Sequence, residues 1–409
     1  MPMTVVRPEE VGLSSQRLAR IETHLASRYV QPGKIAGALT LVARQGKIAY
    51  VEPLGMMDLE RKKPMREDTI FRIFSMTKPI TSVALMTLYE QGYFQLNDPV
   101  HKFIPEWRNL AVYQGGNHPL FITQPVERPM TVRDLMTHMS GLTYSFMERT
   151  NVDAAYRKLD IGVMGGKSSL KDMIQALAGL PLEFSPGTRW NYSVSTDVLG
   201  YLVEVFSGRP FDEYLRTHIF EPLHMEDTGF WVPPEKRDRF AASYSRNPDK
   251  SLKLEDDPRD GLFTRRPSFL SGGGGLVSTA ADYYRFCQML LNGGELDGER
   301  ILGPRTIELM TMNHLPGGRD LTDLTVSAYS QTASEGFGFG LGFSIHLGAD
   351  RSQVIGSEGE YSWGGRASTA FWIDPREDLI VIFLTQFVPD GTFNFRGQLK
   401  TIIYPAIVD

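Results

Sequence analysis

The chain is short of cysteine: Cys287 is the only one among 409 residues. An internal disulfide and a metal site built from several cysteines are therefore excluded. Cys287 lies in an apolar helical pattern, so we expect a thiol packed in the core. No apolar run reaches the roughly 18 to 20 residues of a membrane span. The net charge of −5 offers no basic surface to nucleic acid or to an acidic membrane.

Several enzyme motifs are also missing. The eight histidines form neither H-x-x-x-H nor H-E-x-x-H, so we expect no metal and no cofactor. His138 is expected to cap or pack a helix end rather than to act in catalysis. The G-x-S-x-G elbow of the α/β-hydrolases is absent. The first residues show no apolar segment of the kind found in a secretory signal, which favours a cytoplasmic location.

The hydrophobic pattern places strands near both ends of the chain and helices between them. The predicted strands are 37–43, 47–51, 338–345, 367–373 and 379–385. The predicted helices are 16–29, 79–91, 131–138, 170–178, 197–206 and 395–407. This order indicates an α+β fold, in which an antiparallel sheet built from both termini is flanked by helices. We predict a discontinuous sheet domain at 1–95 and 266–409, a mostly helical inserted domain at 96–265, and an active site between them.

A serine followed three residues later by a lysine begins the helix predicted at 79–91. A spacing of three puts Ser75 and Lys78 on one helix face, one turn apart. A serine hydroxyl is a poor nucleophile without a base within hydrogen-bonding reach, which this lysine could provide. Helix capping by the serine is the alternative interpretation.

Two further stretches carry candidate chemistry. Tyr192 lies in an aromatic stretch, expected to be exposed, just before the helix at 197–206; it could serve as a proton-shuttling base or only pack the start of that helix. Trp363-Gly364-Gly365 precedes the strand at 367–373, where backbone N–H groups could bind an oxyanion or simply form a turn. The run Gly272–Gly275 lacks the Lys-Ser/Thr of a phosphate loop and is expected to form a tight loop beside a site or a domain crossing.

In this order, the motifs resemble those of the serine β-lactamase and penicillin-binding-protein superfamily. The resemblance is strongest to its class C-like branch and, within that branch, to the family VIII carboxylesterases. It implies a β-lactamase-like fold with Ser75 as nucleophile and Lys78 and Tyr192 as the coupled base and acid. It also implies an oxyanion hole formed by the backbone N–H groups of Ser75 and Arg366.

Two departures from the β-lactamase pattern point to the esterase branch. Tyr192-Ser193-Val194 stands where β-lactamases of this type have Y-x-N, and Trp363-Gly364-Gly365 stands where they have K-T-G. Indole carries no charge to meet a drug's carboxylate. We therefore expect a carboxylesterase for small acyl esters, with weak β-lactam hydrolysis as a side activity. The alternatives are an acyltransferase or amide hydrolase of this superfamily, or a non-catalytic binding member. The residues expected to bind substrate are Trp363, Gly364, Gly365, Val194 and Tyr144.

Overall fold

The described part of the computed structural model comprises residues 3–326 and 335–409. Its strands are β1 Gly37–Arg44, β2 Lys47–Asp58, β3 Lys63–Pro64, β4 Phe71–Arg72, β5 Ala111–Asn117, β6 Leu120–Pro125, β7 Ser243–Arg246, β8 Leu252–Asp256, β9 Val277–Ser278, β10 Glu295–Leu296, β11 Glu299–Arg300, β12 Phe337–Phe339, β13 Ser344–His346, β14 Tyr361–Gly365, β15 Thr369–Asp374 and β16 Leu379–Thr385. Its α-helices are α1 Ser15–Leu25, α2 Thr77–Glu90, α3 Val132–Met136, α4 Asn151–Lys158, α5 Leu170–Leu177, α6 Ser195–Ser207, α7 Phe211–Leu215, α8 Ala280–Leu291, α9 Pro304–Thr311, α10 Ala349–Ser352 and α11 Phe395–Ile403.

One antiparallel sheet of eight strands, in the order β12-β13-β14-β15-β16-β1-β2-β3, forms the centre of the fold. Strand β1 pairs with β16 from Ala38↔Thr385 to Arg44↔Leu379, so strands distant in the chain are neighbours in space. Alternate residues of β1 face opposite sides of the sheet. Leu39 and Leu41 join the larger core, whereas Ala38 packs in the cluster that includes α1 and α11. The predicted α+β fold with one antiparallel sheet is confirmed.

The segment 96–265 contains α3 to α7 and two hairpins, β5–β6 and β7–β8. The division into domains remains a prediction. Among the described residues no helix is both long and apolar enough to cross a bilayer, and the cytoplasmic location remains a prediction too.

Several boundaries differ from those predicted. The stretch 338–345 is not one strand, because β12 and β13 form a hairpin in which Phe339 pairs with Ser344. Gly342 lies in the turn between them with φ +99°, a conformation that strands do not use. Strand β2 continues to Asp58, well beyond the predicted end at residue 51. The last helix, α11, ends at Ile403 rather than 407 and is followed by a 3₁₀ turn, Tyr404–Ala406.

Cys287 is fully buried on α8, as predicted. Burial also raises the pKa of its thiol, so this cysteine packs as an apolar side chain.

Candidate active site

Ser75 lies in a 3₁₀ turn, Phe74–Met76, that leads directly into α2. The preceding residue, Phe74, has φ +42°, a strained conformation for a bulky side chain. Such strain is concentrated at functional sites, where the surrounding structure has to maintain it. Ser75 itself is half-buried at the start of a helix whose remaining turns are almost entirely buried.

Lys78 is one turn further along α2 and only 2% exposed. Its Nζ donates hydrogen bonds to Ser75 Oγ at 3.2 Å and to the carbonyl oxygen of Gly273 at 2.6 Å. Burial lowers the pKa of Lys78 to about 7, although the nearby Asp197 acts in the opposite direction. Near neutral pH the amine is therefore present in both protonation states, as a proton-transfer group requires.

Asp197 is a buried carboxyl group that the sequence reasoning missed. It is 1% exposed on the first turn of α6 and accepts hydrogen bonds from Ser271 Oγ at 2.6 Å and from the backbone N–H of Gly273 at 3.0 Å. Burial raises the pKa of this carboxyl. Asp197 therefore holds Gly273, whose carbonyl oxygen accepts a hydrogen bond from Lys78. An acidic residue at the start of an apolar helix was the available signal, but it also fits ordinary helix capping.

The Tyr192 hydroxyl donates a hydrogen bond to Ser75 Oγ at 2.6 Å. Lys78 Nζ lies 4.4 Å from the centroid of the tyrosine ring. The stretch around Tyr192 was expected to be exposed, and this is wrong: Tyr192 is 3% exposed and Trp190 is fully buried. The rings pack inward because α6 brings their loop against the core beside α2. Ser75, Lys78 and Tyr192 therefore meet at one point.

Aromatic rings surround Tyr192. The ring centroids of Tyr144, Trp363 and His138 lie 5.2, 5.7 and 5.0 Å from that of Tyr192. His138 is buried just after α3, and burial together with the charge of Lys78 holds its pKa well below the usual value. Its Nδ1 shares a hydrogen bond of 3.3 Å with Ser193 Oγ. A neutral His138 packs against Tyr192, which fits its expected packing role.

The Trp363-Gly364-Gly365 motif precedes β15, as expected, but it is itself the end of another strand, β14. Residues 366–368 then make the turn into β15, with Ser368 at φ +60°. A β-carbon on Gly365 would lie 2.3 Å from the carbonyl oxygen of Ile73, so only glycine allows this strand to approach the backbone next to Ser75. Arg366 follows immediately.

Alternation along β14 separates the three residues of this motif. Trp363 packs against Tyr192 on the side of the strand that faces the site. A β-carbon on Gly364 would instead meet the guanidinium of Arg396, 2.6 Å away, so this position faces the opposite side.

Val194 directly precedes α6 and is completely buried. A β-carbon on Gly162 would lie 2.9 Å from Val194 Cγ1, so the turn after α4 packs tightly over this residue. Within the described ranges, no group of three or more His, Cys, Asp or Glu side chains is arranged to hold a metal ion.

Comparison with known proteins identifies the family. The sequence profile of the family described as Beta-lactamase matches residues 23–400. The chain belongs to the Beta-lactamase family. Protein Rv1367c of Mycobacterium tuberculosis is 36% identical over 361 residues, which cover 88% of this chain and 87% of that protein.

Esterases are among the similar members of the Beta-lactamase family. Esterase EstB of Burkholderia gladioli is 29% identical, with 98% of this chain and 97% of EstB covered. The solved structure of EstCE1, described as a hydrolase with promiscuous acyltransferase activity, superposes with a TM-score of 0.80 at 26% identity, covering 95% of this chain and 99% of that one. The resemblance to this superfamily with esterase-like members is confirmed, and the protein is a serine hydrolase.

Proposed function

We propose that this protein is a carboxylesterase that hydrolyses small acyl esters through an acyl-enzyme on Ser75. The observation that carries the proposal is the pair of hydrogen bonds to Ser75 Oγ, from Tyr192 at 2.6 Å and from Lys78 at 3.2 Å. A hydroxyl held between two proton-transfer groups is the arrangement that activates a serine nucleophile. The names of EstB and EstCE1 support an ester substrate.

The proposed reaction begins when the Lys78–Tyr192 pair takes the proton of Ser75 and Oγ attacks the ester carbonyl. The negative charge that develops on the carbonyl oxygen is held by the backbone N–H groups of Ser75 and Arg366. The tetrahedral intermediate then collapses, and the departing alkoxide takes its proton back from the same pair. Water repeats the sequence on the acyl-enzyme, releasing the acid and restoring Ser75. Lys78 and Tyr192 interact and therefore titrate as a pair, so the proton taken from Ser75 is assigned to the pair and not to either residue.

The surroundings of Ser75 favour esters over β-lactams. Trp363 contributes an uncharged ring, 3% exposed and packed against Tyr192 and Phe339, where an anionic drug would need a cation. Val194 is apolar and buried at the position where β-lactamases of this type have an asparagine. Losing one charged hydrogen bond to a substrate costs about 1.5–3 kcal/mol, or roughly ten- to a hundredfold in rate. Cephalosporin hydrolysis is therefore proposed as a weak side activity only.

The test is the hydrolysis of p-nitrophenyl acetate, butyrate and octanoate beside that of a chromogenic cephalosporin. Wild type is expected to hydrolyse at least one ester much faster than the cephalosporin, and Ser75→Ala is expected to abolish ester turnover. Ester turnover that persists in Ser75→Ala would overturn the proposal. Faster cephalosporin turnover would mean that Trp363 and Val194 do not exclude lactams.

Acyl transfer is a second candidate because EstCE1, a similar structure, is described as having promiscuous acyltransferase activity. The same acyl-enzyme would then be cleared by an alcohol instead of water. Product analysis in the presence of an added alcohol separates the two reactions: a new ester indicates transfer, and the free acid alone indicates hydrolysis.

A further inference from the structure

One position in the Gly272–Gly275 loop differs from its neighbours. A β-carbon built on Gly272, Gly273 or Gly275 would meet another protein atom at 2.7 to 2.8 Å, so side chains are excluded there by direct contact. A β-carbon on Gly274 would meet nothing closer than 3.8 Å. Gly274 is nevertheless buried. A space large enough for at least a methyl group therefore lies beside this residue.

Two groups border the space. The first is the backbone of Phe74, whose carbonyl carbon and Cα lie 3.8 and 4.0 Å from the β-carbon position of Gly274. Phe74 immediately precedes Ser75, so the space lies next to the nucleophile. The second is the sulfur of Met164, 3.9 Å from the same position. The Phe74 ring packs edge-on against Phe263, with the centroids 5.8 Å apart, in the same apolar cluster as Met164.

Met164 is held in place by contacts on both sides of it. Two residues earlier, Gly162 packs against Val194, with φ +70°. One residue later, a β-carbon on Gly165 would lie 2.5 Å from Leu262 Cδ2. Met164 itself is half-buried against an apolar cluster that includes Phe263. A flexible thioether on a fixed turn can fill a space or withdraw from it.

We propose that the space between Gly274, the Phe74 backbone and Met164 receives the acyl chain of the substrate, and that Met164 limits the length of that chain. This inference rests on the proposed esterase function. The leaving alcohol takes its proton from the Lys78–Tyr192 pair, whose member nearer to Ser75 Oγ is the Tyr192 hydroxyl at 2.6 Å. The alcohol is therefore assigned to the tyrosine end of the pair, since Lys78 Nζ is also bound to the carbonyl of Gly273. The acyl chain stays on Ser75 and needs a second, apolar space, which the Gly274 side provides. The substrate class is thus an ester of a slim, uncharged aliphatic acid.

Two opposite substitutions test the inference. Gly274→Ala puts a methyl group into the space, where its nearest neighbours are at ordinary contact distance and the backbone is outside the left-handed region. Met164→Ala removes the thioether and lengthens the space. The quantity measured is kcat/KM for p-nitrophenyl octanoate divided by that for p-nitrophenyl acetate. One methylene group changes such ratios by roughly tenfold or more. We expect the ratio to fall about tenfold in Gly274→Ala and to rise by a similar factor in Met164→Ala.

Val163→Ala is the matched control, because this neighbour of Met164 is 40% exposed. Its ratio is expected to equal that of wild type. Ratios unchanged in both Gly274→Ala and Met164→Ala, with wild-type ester turnover intact and dependent on Ser75, would overturn the acyl-chain inference alone. Absence of Ser75-dependent turnover in wild type would overturn the esterase proposal instead.

A second series distinguishes the two sides of the ester. With ethyl, butyl and octyl acetate the acyl group is constant and the alcohol grows, so neither variant is expected to change the preference for alcohol length. A shift in this series, without one in the acyl series, would assign the space to the alcohol and refute the inference. If Gly274→Ala fails to fold, Met164→Ala still decides the question.

Discussion

Replacing Lys78 by methionine is expected to abolish ester hydrolysis while making the protein more stable. Burial lowers the pKa of Lys78 from 10.5 to about 7, a difference of 10.5 − 7 = 3.5 units. At about 1.4 kcal/mol per unit, keeping this lysine in the native protein at pH 7 costs roughly 4–5 kcal/mol. The carbonyl oxygen of Gly273 loses its hydrogen-bond donor in the variant, and this loss lowers the free energy of unfolding by about 1–3 kcal/mol. The free energy of unfolding should thus rise by about 1–4 kcal/mol at pH 7.

The stability difference between Lys78→Met and wild type is expected to depend on pH, in a direction set by the lowered pKa of Lys78. Between pH 7 and 10.5 the unfolded chain holds a proton at Lys78 and the native protein does not, so the stability of wild type rises with pH by up to about 1.4 kcal/mol per unit. The advantage of Lys78→Met should therefore shrink by about 2 kcal/mol between pH 7 and pH 9. Urea denaturation followed by tryptophan fluorescence at both pH values measures the difference, in which the other titrating groups largely cancel.

The matched control is Lys171→Met, on an exposed position of α5. It is expected to change the stability by less than about 0.5 kcal/mol at either pH. An advantage of Lys78→Met that stays constant from pH 7 to pH 9 would refute the reasoning, because it would mean that Lys78 keeps its proton in the native protein.

Three further outcomes are expected. Tyr192→Phe should lower kcat/KM for p-nitrophenyl butyrate by about 10²- to 10⁴-fold, because the hydroxyl bound to Ser75 is lost. The circular dichroism spectrum should not change, because the ring contacts remain. Near-normal activity would exclude Tyr192 from proton transfer. Asp197→Asn keeps an oxygen acceptor for Ser271 but removes the charge that raises the pKa of Lys78. The acid limb of the plot of kcat/KM against pH should therefore move to lower pH. An unmoved limb would show that this carboxyl is uncharged. Cys287 should resist a thiol reagent such as 5,5′-dithiobis(2-nitrobenzoate) in the native protein and react after denaturation in urea, because it is fully buried with a raised pKa.

Elements with a strong local pattern were predictable from the sequence. The strand predicted at 379–385 has those bounds in the structure, and α2 begins two residues before the predicted start. The strand predicted at 338–345 was wrong, because an unbroken apolar pattern does not show that a chain reverses within it. That reversal depends on the conformation of Gly342, which hydrophobicity does not report.

The site was predictable to the extent that its chemistry lies in short motifs. Ser75, Lys78 and Tyr192 were predicted from motifs whose order resembles that of a known family, and the structure brings the three side chains together. Their catalytic roles remain predictions. Asp197 was missed because its contacts come from Ser271 and Gly273, more than seventy residues away along the chain. Contacts between a buried carboxyl and residues distant along the chain leave no motif in the sequence, so they can be seen only in the folded structure.

The pairing of β1 with β16 has a consequence for the newly synthesised chain. Thr385 donates a hydrogen bond to the carbonyl of Gly37, 348 positions earlier, so these two central strands can pair only after all the residues between them have left the ribosome. Such long-range pairing makes folding slow and leaves the first strand edges unprotected during translation. The proposed nucleophile Ser75 is synthesised early, but Arg366, its proposed oxyanion partner directly after β14, arrives almost three hundred residues later. A partly synthesised chain therefore carries the proposed catalytic serine before the proposed site around it is complete.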